Sequence, residues 1–331
     1  MRAKGIAYDT GFVRHGEISV GSFDLDAVRR DLTVIRDDLH CNAVHLVGGD
    51  PERLEQATRI AAALGLEVWF SPYPLELTEP EILDLFTDCA RRAERVRAAG
   101  AEVVFVTGVE LSIMNQGFLP GADVLDRVDR LFAEPDGRAE RLLQASTRLG
   151  DFLGRAVAAV RAEFRGPLTY ACIPFERVDW SLFDIMSFEL IRSAEVAGQY
   201  AESIRNVVAQ GKPVAITGFG TAAWCGSGDV APRSMEIVEF DEAGLPVRVR
   251  DGYVRDEDEQ ARYLVELLEI FDAEGVDGAF VYLFALSSYP HRPDDPRRDL
   301  DLASPGIVKV YEDLRWEPKA AFAAVANHYR G

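Results

Sequence analysis

The chain has 331 residues, of which 48% are hydrophobic, and its formal net charge is −19 at pH 7. This charge disfavours nucleic acid, whose phosphates it would repel, and anionic membrane surfaces. The length suits one large domain, since α/β barrels run to about 250 residues before insertions, and the charge fits a protein that acts on a small molecule.

Short apolar runs rich in β-branched and aromatic residues recur along the chain, and helical stretches separate them. Their near-continuous apolarity indicates strands that are covered on both faces, as in a parallel sheet. Eight such runs with helices between them predict a (β/α)8 TIM barrel. In chain order the runs span residues 5–10, 42–48, 67–73, 102–110, 168–174, 184–190, 213–220 and 278–286.

The helices between these runs carry recognisable end signals. Asp26 predicts the start of a helix to about residue 40, and the next helix begins at Pro51 and ends before Gly65. Thr78, with Glu81 three positions later, has the pattern of a capping box for a helix to about residue 99. Later helices are predicted over 138–164, 195–210 and 256–274, and the last has an apolar stripe made of Tyr263, Leu264, Leu267, Leu268 and Phe271.

Two insertions interrupt this rhythm, and both follow the carboxyl end of a strand. Residues 112–137 follow strand 4, with a short helix predicted around 121–132. Residues 221–255 follow strand 7, where IVEF and PVRVR flank residues 241–244 in the pattern of a β-hairpin. We expect both insertions on the rim that carries active sites in barrels. Without an internal repeat or a low-complexity linker, the chain predicts a single domain over residues 1–331.

The amino terminus and the cysteines bear on location. The segment MRAKGIAYDT has no apolar run after its basic residues, so we expect no signal peptide. The apolar runs are strand-sized, so no transmembrane helix is predicted. The scattered cysteines lack metal or disulfide spacing and predict reduced thiols in a cytoplasmic protein; they are Cys41, Cys89, Cys172 and Cys225.

Side chains at the carboxyl ends of the strands are the candidate site residues, because in a barrel these ends surround one pocket. Glu110 ends the fourth run, in FVTGVELS, where burying an acidic residue is costly without a purpose. Glu189 ends the sixth run and is the second candidate carboxylate, with an ion pair to Arg192 as the alternative. Further candidates for substrate contact are Asp9, His45, Tyr73, Glu176, Thr217, Trp224, Tyr282 and His291.

Several of these residues also have a purely structural interpretation. Asp9 could brace a neighbouring loop, and a lone histidine within a strand, such as His45, is more often a core residue. His15 and His291 lie on predicted loops, where most histidines are simply exposed to solvent. Aromatic residues on barrel strands usually pack in the core, so the better candidates for a sugar platform lie nearest loops, namely Tyr73 and Trp224, ahead of Trp69, Tyr282 and Tyr289.

No motif for a metal or a phosphate stands out. Asp294, Asp295, Asp299 and Asp301 are interleaved with arginines after strand 8, which is typical of a solvated, salt-bridged loop rather than a cation site. The glycine-rich segment GFGTAAWCGSG lacks the lysine of a P-loop. We therefore predict no metal and no cofactor, and a small-molecule substrate as the partner.

The segment KPVAITGFG resembles the seventh-strand motif of clan A glycoside hydrolases, which reads roughly Lys-Pro-apolar-apolar-Thr-Glu-Phe-Gly. The tail, DLDLASPGIVKVYED followed by WEPKAAFAAVANHY, resembles their closing loop and last helix. More narrowly, the whole chain is similar in outline to actinobacterial barrels labelled abortive-infection-like, a label that implies no established function. The resemblance implies a glutamate acid/base at the end of strand 4, which matches Glu110.

Two residues depart from the clan's pattern. Gly218 stands where the clan has its nucleophile glutamate, and Val109 stands where asparagine usually precedes the acid/base. A retaining glycosidase needs two carboxylates roughly 5–5.5 Å apart, and Gly218 supplies none. Gly218 is either an engineered replacement, a natural change in a barrel recruited to other chemistry, or the mark of a protein that binds without reacting.

Three functions stay open at this point. The first is a glycoside hydrolase-like enzyme for a small glycoside or sugar-like metabolite, with Glu110 as general acid/base and no standard nucleophile. The second is a non-hydrolytic biosynthetic enzyme, such as an isomerase, lyase or cyclase, that uses Glu110 with Glu189 or a histidine. The third is a non-catalytic ligand-binding barrel. The glycoside hydrolase-like function requires Glu110 and Gly218 to face each other across the mouth of one closed ring of parallel strands.

Overall fold

The computed structural model describes residues 1–14, 16–133, 136–241 and 245–331. Eight parallel strands form a closed barrel in which each strand lies beside the strands that precede and follow it in the chain. This confirms the prediction of a (β/α)8 TIM barrel, and each predicted apolar run overlaps one strand. The strands are β1 Ala3–Asp9, β2 Ala43–Gly48, β3 Glu67–Pro72, β4 Val103–Val109, β5 Leu168–Cys172, β6 Met186–Glu189, β7 Val214–Phe219 and β8 Gly278–Val281.

Helices alternate with these strands, as the sequence pattern predicts. Among the described residues, no helix is both long and apolar enough to cross a bilayer. The helices are α1 Leu25–Asp37, α2 Pro51–Ala63, α3 Glu79–Ala98, α4 Leu111–Met114, α5 Val124–Ala133, α6 Arg138–Glu163, α7 Ala197–Val208, α8 Glu257–Glu274 and α9 Ala320–Arg330.

The end signals of two helices show how local sequence sets their boundaries. At the start of α3 the Thr78 N–H donates to Glu81 Oε2 (2.8 Å), which confirms the capping box. At the start of α1 the cap is Asp24 rather than the predicted Asp26, because the Asp24 carboxylate accepts a hydrogen bond from the Asp26 N–H (3.0 Å). Asp26 itself lies in the first turn, where its charge favours the positive end of the helix dipole.

Short antiparallel ribbons lie outside the barrel strands. In the insertion after β7, Val238–Phe240 pairs with Pro246–Val249, as the hairpin pattern predicts. The turn residues 242–244 lie outside the described residues, and so does His15. The other two ribbons pair Val13–Arg14 with Glu17–Ile18 and Val308–Val310 with Trp316–Pro318.

The chain divides into two compact units. One comprises Thr10–Leu32 and Val44–Glu189. In its core Phe105 of β4 stacks on Phe70 of β3, with 5.9 Å between the ring centres, and the tilted ring of Phe164 lies 5.7 Å from Phe105. These rings attach the strands to the helices packed on them.

The other unit comprises Met1–Asp9, Thr33–Ala43 and Leu190–Gly331. Here Phe271 of α8 meets Phe219 of β7 edge-on, with 4.9 Å between the ring centres. The extent of a single domain over residues 1–331 stays a prediction. Every residue of the predicted apolar stripe on α8 is buried. The stripe comprises Tyr263, Leu264, Leu267, Leu268 and Phe271.

Candidate active site

The candidate site begins at the carboxyl end of β4, where the strand departs from regular geometry. The register between β4 and β5 shifts between Val106 and Val109, which marks a β-bulge. Gly108 lies in this bulge with a φ of +87°, a left-handed conformation that glycine adopts without a steric penalty. A Cβ at this position would lie 2.8 Å from the Leu111 side chain. The bulge therefore favours glycine at 108 and redirects the chain just before Glu110.

Substituting alanine for Gly108 is expected to lower the free energy of unfolding by about 1–3 kcal/mol, because the positive φ and the Leu111 contact both oppose a Cβ. Gly154, in the middle of α6 with open space around it, is the matched control. Gly154→Ala is expected to stabilise the protein by about 1 kcal/mol. Urea unfolding followed by circular dichroism measures both values. A Gly108→Ala protein as stable as the wild type would contradict the structural role of the bulge.

Glu110 itself has a left-handed backbone, with φ +46° and ψ +38°. For a residue with a side chain this conformation costs on the order of 1 kcal/mol or more, and such residues cluster at functional sites. The Glu110 N–H donates to the Ala171 carbonyl of β5 (3.0 Å), and the Glu110 carbonyl accepts from the N–H groups of Ile113 and Met114 (both 3.0 Å). Strand β5 and the turn of α4 thus hold the strained residue in place.

The Glu110 carboxyl is partly buried and lies near two other carboxyl groups. Burial, followed by the negative charges of Glu189 and Glu176, raises the pKa of Glu110 to about 8. At neutral pH the Glu110 carboxyl therefore carries a proton that it can donate. Because this pKa is close to neutrality, the same group can also take a proton back.

Glu189, the second predicted carboxylate, is the last residue of β6 and is partly buried. Its charge acts on Glu110, so the two carboxyl groups lie near each other. Since side chains alternate along a strand, Glu189 shares a face with Ser187. The Ser187 Oγ lies 2.6 Å from the Thr169 Oγ1, and this hydrogen bond joins β6 to β5. Glu110 and Glu189 both belong to the compact unit that contains Val44–Glu189.

Glu176, a candidate pocket residue from the sequence, is buried among hydrogen-bond donors. Its Oε1 accepts from the N–H and the Oγ–H of Ser112 (3.2 and 2.6 Å). Its Oε2 accepts from the Tyr170 hydroxyl and the Ile173 N–H (2.9 and 3.1 Å). The Tyr170 oxygen in turn accepts from the Leu111 N–H (2.9 Å). Glu176 therefore braces the segment that opens α4. Sequence reasoning missed Ser112 and Tyr170, because only the fold brings them to this carboxylate.

The position that the resemblance assigns to the nucleophile lies near the end of β7. Gly218 is buried within Val214–Phe219, and its carbonyl accepts a hydrogen bond from the Leu190 N–H (3.0 Å). Position 218 has no side chain and therefore no carboxylate. That Glu110 and Gly218 face each other across the mouth of the barrel stays a prediction, and so does the origin of the glycine.

Three other predicted residues lie on β2 and β3 or directly after them. His45 is buried within β2, and Tyr73 follows β3, where its N–H donates to the Gly48 carbonyl (2.8 Å). The Tyr73 ring is partly buried and meets Phe12 edge-on at 5.0 Å. Trp69 is fully buried within β3, so its place is the barrel core rather than a sugar platform. Contact of His45 and Tyr73 with a substrate stays a prediction.

The remaining predicted contacts belong to the unit that contains β7 and β8. Asp9 ends β1 and is partly buried, and Tyr282 follows β8 with its N–H donating to the Phe219 carbonyl (2.9 Å). Trp224 is buried in an apolar cluster, and its indole N–H donates to the Ser234 carbonyl (2.9 Å). Trp224 lies within the insertion after β7, and its contact with a substrate stays a prediction. Asp9 and Tyr282 stay predicted substrate contacts.

The acidic run after β8 differs from the solvated loop predicted for it. Asp299 and Asp301 are buried, and each accepts a hydrogen bond from Arg255 (both 2.9 Å). Asp301 also pairs with the buried Lys319 (3.0 Å), and Asp299 lies 2.9 Å from His291 Nδ1. The two aspartates are therefore salt-bridged, as predicted, but they are buried instead of solvated, because loop composition does not show which distant cations a carboxylate meets. His291 is thereby held by a carboxylate instead of being merely solvated.

A group of potential metal-ligand atoms lies after β7. A thiol and two carboxylates, from Cys225, Asp256 and Glu259, approach within 4.8 Å of one another. The Glu259 carboxylate accepts hydrogen bonds from the Gly226 N–H (2.9 and 2.8 Å), and the Asp256 carboxylate accepts one from the Glu259 N–H (2.8 Å). Both carboxylates therefore cap backbone N–H groups.

The chain matches no protein-family model and no curated protein sequence. Solved structures of similar fold are numerous. A GH113 β-1,4-mannanase superposes with a TM-score of 0.66 at 16% identity, covering 99% of this chain and 99% of that one. The GH113 β-mannanase of Alicyclobacillus acidocaldarius gives 0.62 at 17% identity, covering 99% and 97%.

A family 1 β-glucosidase from Thermotoga maritima gives a TM-score of 0.59 at 14% identity, covering 99% of this chain and 97% of that one. At such identities the similarity is one of fold. It extends over nearly the whole of each chain, so what these chains share is the eight-stranded barrel, and the chemistry of this one must be argued from its own residues.

Proposed function

We propose that the protein is a glycoside hydrolase-like enzyme that acts on a small glycoside or sugar-like metabolite, with Glu110 as its general acid/base. The observation that carries this proposal is the strained Glu110 at the carboxyl end of β4, a partly buried carboxyl whose pKa is raised to about 8. A strained, protonated carboxyl at the end of a barrel strand suits proton donation to a substrate.

Cleavage of a glycosidic bond requires a proton on the leaving oxygen. Glu110 supplies it, because a carboxyl with a pKa of about 8 is mainly protonated at neutral pH. After donation, burial and the negative charge of Glu176 disfavour the ionised form of Glu110 and favour recovery of a proton. Burial and like charge thus return the group to its protonated state after each turnover.

Glu189 is the second carboxylate of this mechanism. Its charge acts on Glu110, so both carboxyl groups serve the same part of the site. Inverting hydrolysis uses two carboxyl groups with a water molecule between them. In this scheme Glu189 takes a proton from that water while Glu110 gives its proton to the leaving group.

Position 218 plays no chemical part in this scheme. Gly218 offers no carboxylate, so the double displacement of retaining clan members cannot proceed through this residue. The water-based route through Glu110 and Glu189 uses only groups that the chain has. It also explains why an acidic residue ends β6.

The first test is a screen for hydrolysis. The names of the structural neighbours, mannanases and a glucosidase, suggest nitrophenyl β-mannosides and β-glucosides as first substrates. The expected result is slow release of nitrophenol. If no glycoside is cleaved and none binds, the proposal fails for those sugars.

One observation favours a second candidate, a non-hydrolytic biosynthetic enzyme such as an isomerase, lyase or cyclase. Two interacting carboxyl groups, Glu110 and Glu189, suit the removal and return of a proton on carbon, and that chemistry needs no carboxylate at Gly218. This function predicts that Glu110→Gln abolishes turnover of a non-sugar substrate and that Gly218 stays necessary.

A further inference from the structure

The carboxylate of Glu176 takes no part in the proposed chemistry, yet it is only 6% exposed. Its hydrogen-bond partners in the described chain are Ser112, Tyr170 and Ile173, and all of the donors are neutral groups. Burying a carboxylate without a cation is costly. Burial accordingly raises the pKa of Glu176, against the hydrogen bonds from Ser112 and Tyr170.

The contacts of Glu176 lead directly to the residue before α4. The Ser112 N–H and hydroxyl donate to Glu176, and the Leu111 N–H donates to the Tyr170 oxygen (2.9 Å), which itself donates to Glu176. The two peptide N–H groups that follow Glu110 are therefore bound by one carboxylate–phenol pair. These are N–H groups at a helix start that have no partner within the helix.

We propose that Glu176 is a positioning residue for Glu110, which it holds in its left-handed turn through Tyr170 and Ser112. The proposal rests on the acid/base role proposed for Glu110. The bulge at Gly108 and the Ala171 carbonyl fix the chain before that residue, and the Glu176 network fixes the chain after it.

A neutral glutamine has one acceptor oxygen and could not accept all four of these hydrogen bonds, which the two oxygens of a carboxylate share. The negative charge of Glu176 also raises the pKa of Glu110 and so favours its protonated form. Glu176 thus does two things for the acid/base: it fixes the turn, and it opposes loss of the proton.

The matched control is Glu55, another buried carboxylate of the same unit, which is 8% exposed. It accepts hydrogen bonds from Arg59, Arg92 and Arg95 (2.7, 3.0 and 2.7 Å) between α2 and α3. Glu55→Gln removes a buried carboxylate whose contacts join α2 to α3 and do not include the Glu110 turn. Glu176→Gln removes one that also contacts the Glu110 turn.

The experiment is a pH titration of the Glu110 carboxyl by NMR in protein labelled with ¹³C at glutamate carboxyl carbons, with the signal assigned by its loss in Glu110→Gln. In Glu176→Gln the titration midpoint of Glu110 is expected to move to lower pH, and the alkaline limb of kcat/KM is expected to move with it. In Glu55→Gln both are expected to stay at their wild-type values. An unmoved midpoint in folded Glu176→Gln would overturn the proposal.

Tyr170→Phe tests the positioning separately, and it decides the matter if Glu176→Gln does not fold. This substitution keeps the charge but removes the link to Leu111. The expected result is a loss of kcat of about tenfold or more with KM unchanged, because a small misplacement of a catalytic group is costly. Tyr170→Phe with wild-type kcat and an unmoved Glu110 midpoint would contradict the role of the network.

The outcomes separate this inference from the proposed function. If the wild-type protein cleaves no glycoside but Glu176→Gln shifts the Glu110 midpoint, the proposed function fails and the link between the two residues stands. If glycosides are cleaved with Glu110 as the donor but neither variant changes the midpoint or kcat, the proposed function stands and the role of Glu176 is wrong.

Discussion

Replacing Glu110 with glutamine is expected to slow hydrolysis of a phenyl glycoside at pH 7 by roughly 10²–10⁴-fold, the usual contribution of a general acid. Glutamine keeps the size of the side chain but has no proton to give near neutrality. Initial rates of phenol release measure the loss. The wild-type rate should fall above about pH 8, where the carboxyl loses its proton, and this limb should disappear in Glu110→Gln.

The leaving group supplies the control for this prediction. A dinitrophenolate leaves without a proton, so Glu110→Gln should cost much less with a dinitrophenyl glycoside than with the phenyl glycoside. Glu55→Gln should leave both rates near the wild-type values, because Glu55 lies in an arginine cluster between α2 and α3. Equal losses on both substrates in Glu110→Gln would mean that the residue does something other than donate a proton.

Placing glutamate at position 218 is expected to create or restore hydrolysis of aryl glycosides by the retaining route. The resemblance to clan A assigns the nucleophile to this position, and Glu110 would supply the matching acid. The expected result is an increase in rate together with a burst of phenol release, because the covalent intermediate accumulates when its hydrolysis is slow. Stopped-flow absorbance measures both.

Gly218→Gln is the matched control, since it adds nearly the same bulk to a buried strand position without a nucleophile. Thermal unfolding of both variants shows whether β7 accepts a long side chain. A Gly218→Glu protein that is folded but binds sugars no better and cleaves none would contradict the assignment of residue 218 for the sugars tried.

The strands and most helices could be predicted because their signals are local. A strand that is covered on both faces is mostly apolar, and β4 and β7 are buried along their whole length. Capping residues such as Thr78 contact backbone a few residues away. Even here Asp24, not Asp26, caps α1, because two neighbouring aspartates offer the same chemistry and only the path of the chain selects one.

The site was predicted only in part, for reasons that lie in long-range contacts. The end of the fourth strand indicated Glu110, and the end of the sixth indicated Glu189. The bulge at Gly108 and the left-handed backbone of Glu110 were not predictable, since VTGVE has the pattern of a continuous strand. The brace by Glu176 was also hidden, because Ser112, which links it to the start of α4, lies 64 residues away in the sequence.

The most direct test of the account is the titration of Glu110 in the wild-type protein, followed by ¹³C NMR of its carboxyl carbon. The account predicts a midpoint at about pH 8, produced by burial and by the charges of Glu189 and Glu176. A midpoint at the ordinary value for glutamate, about 4.3, would mean that the group is ionised at neutral pH and has no proton to donate, and it would contradict the account.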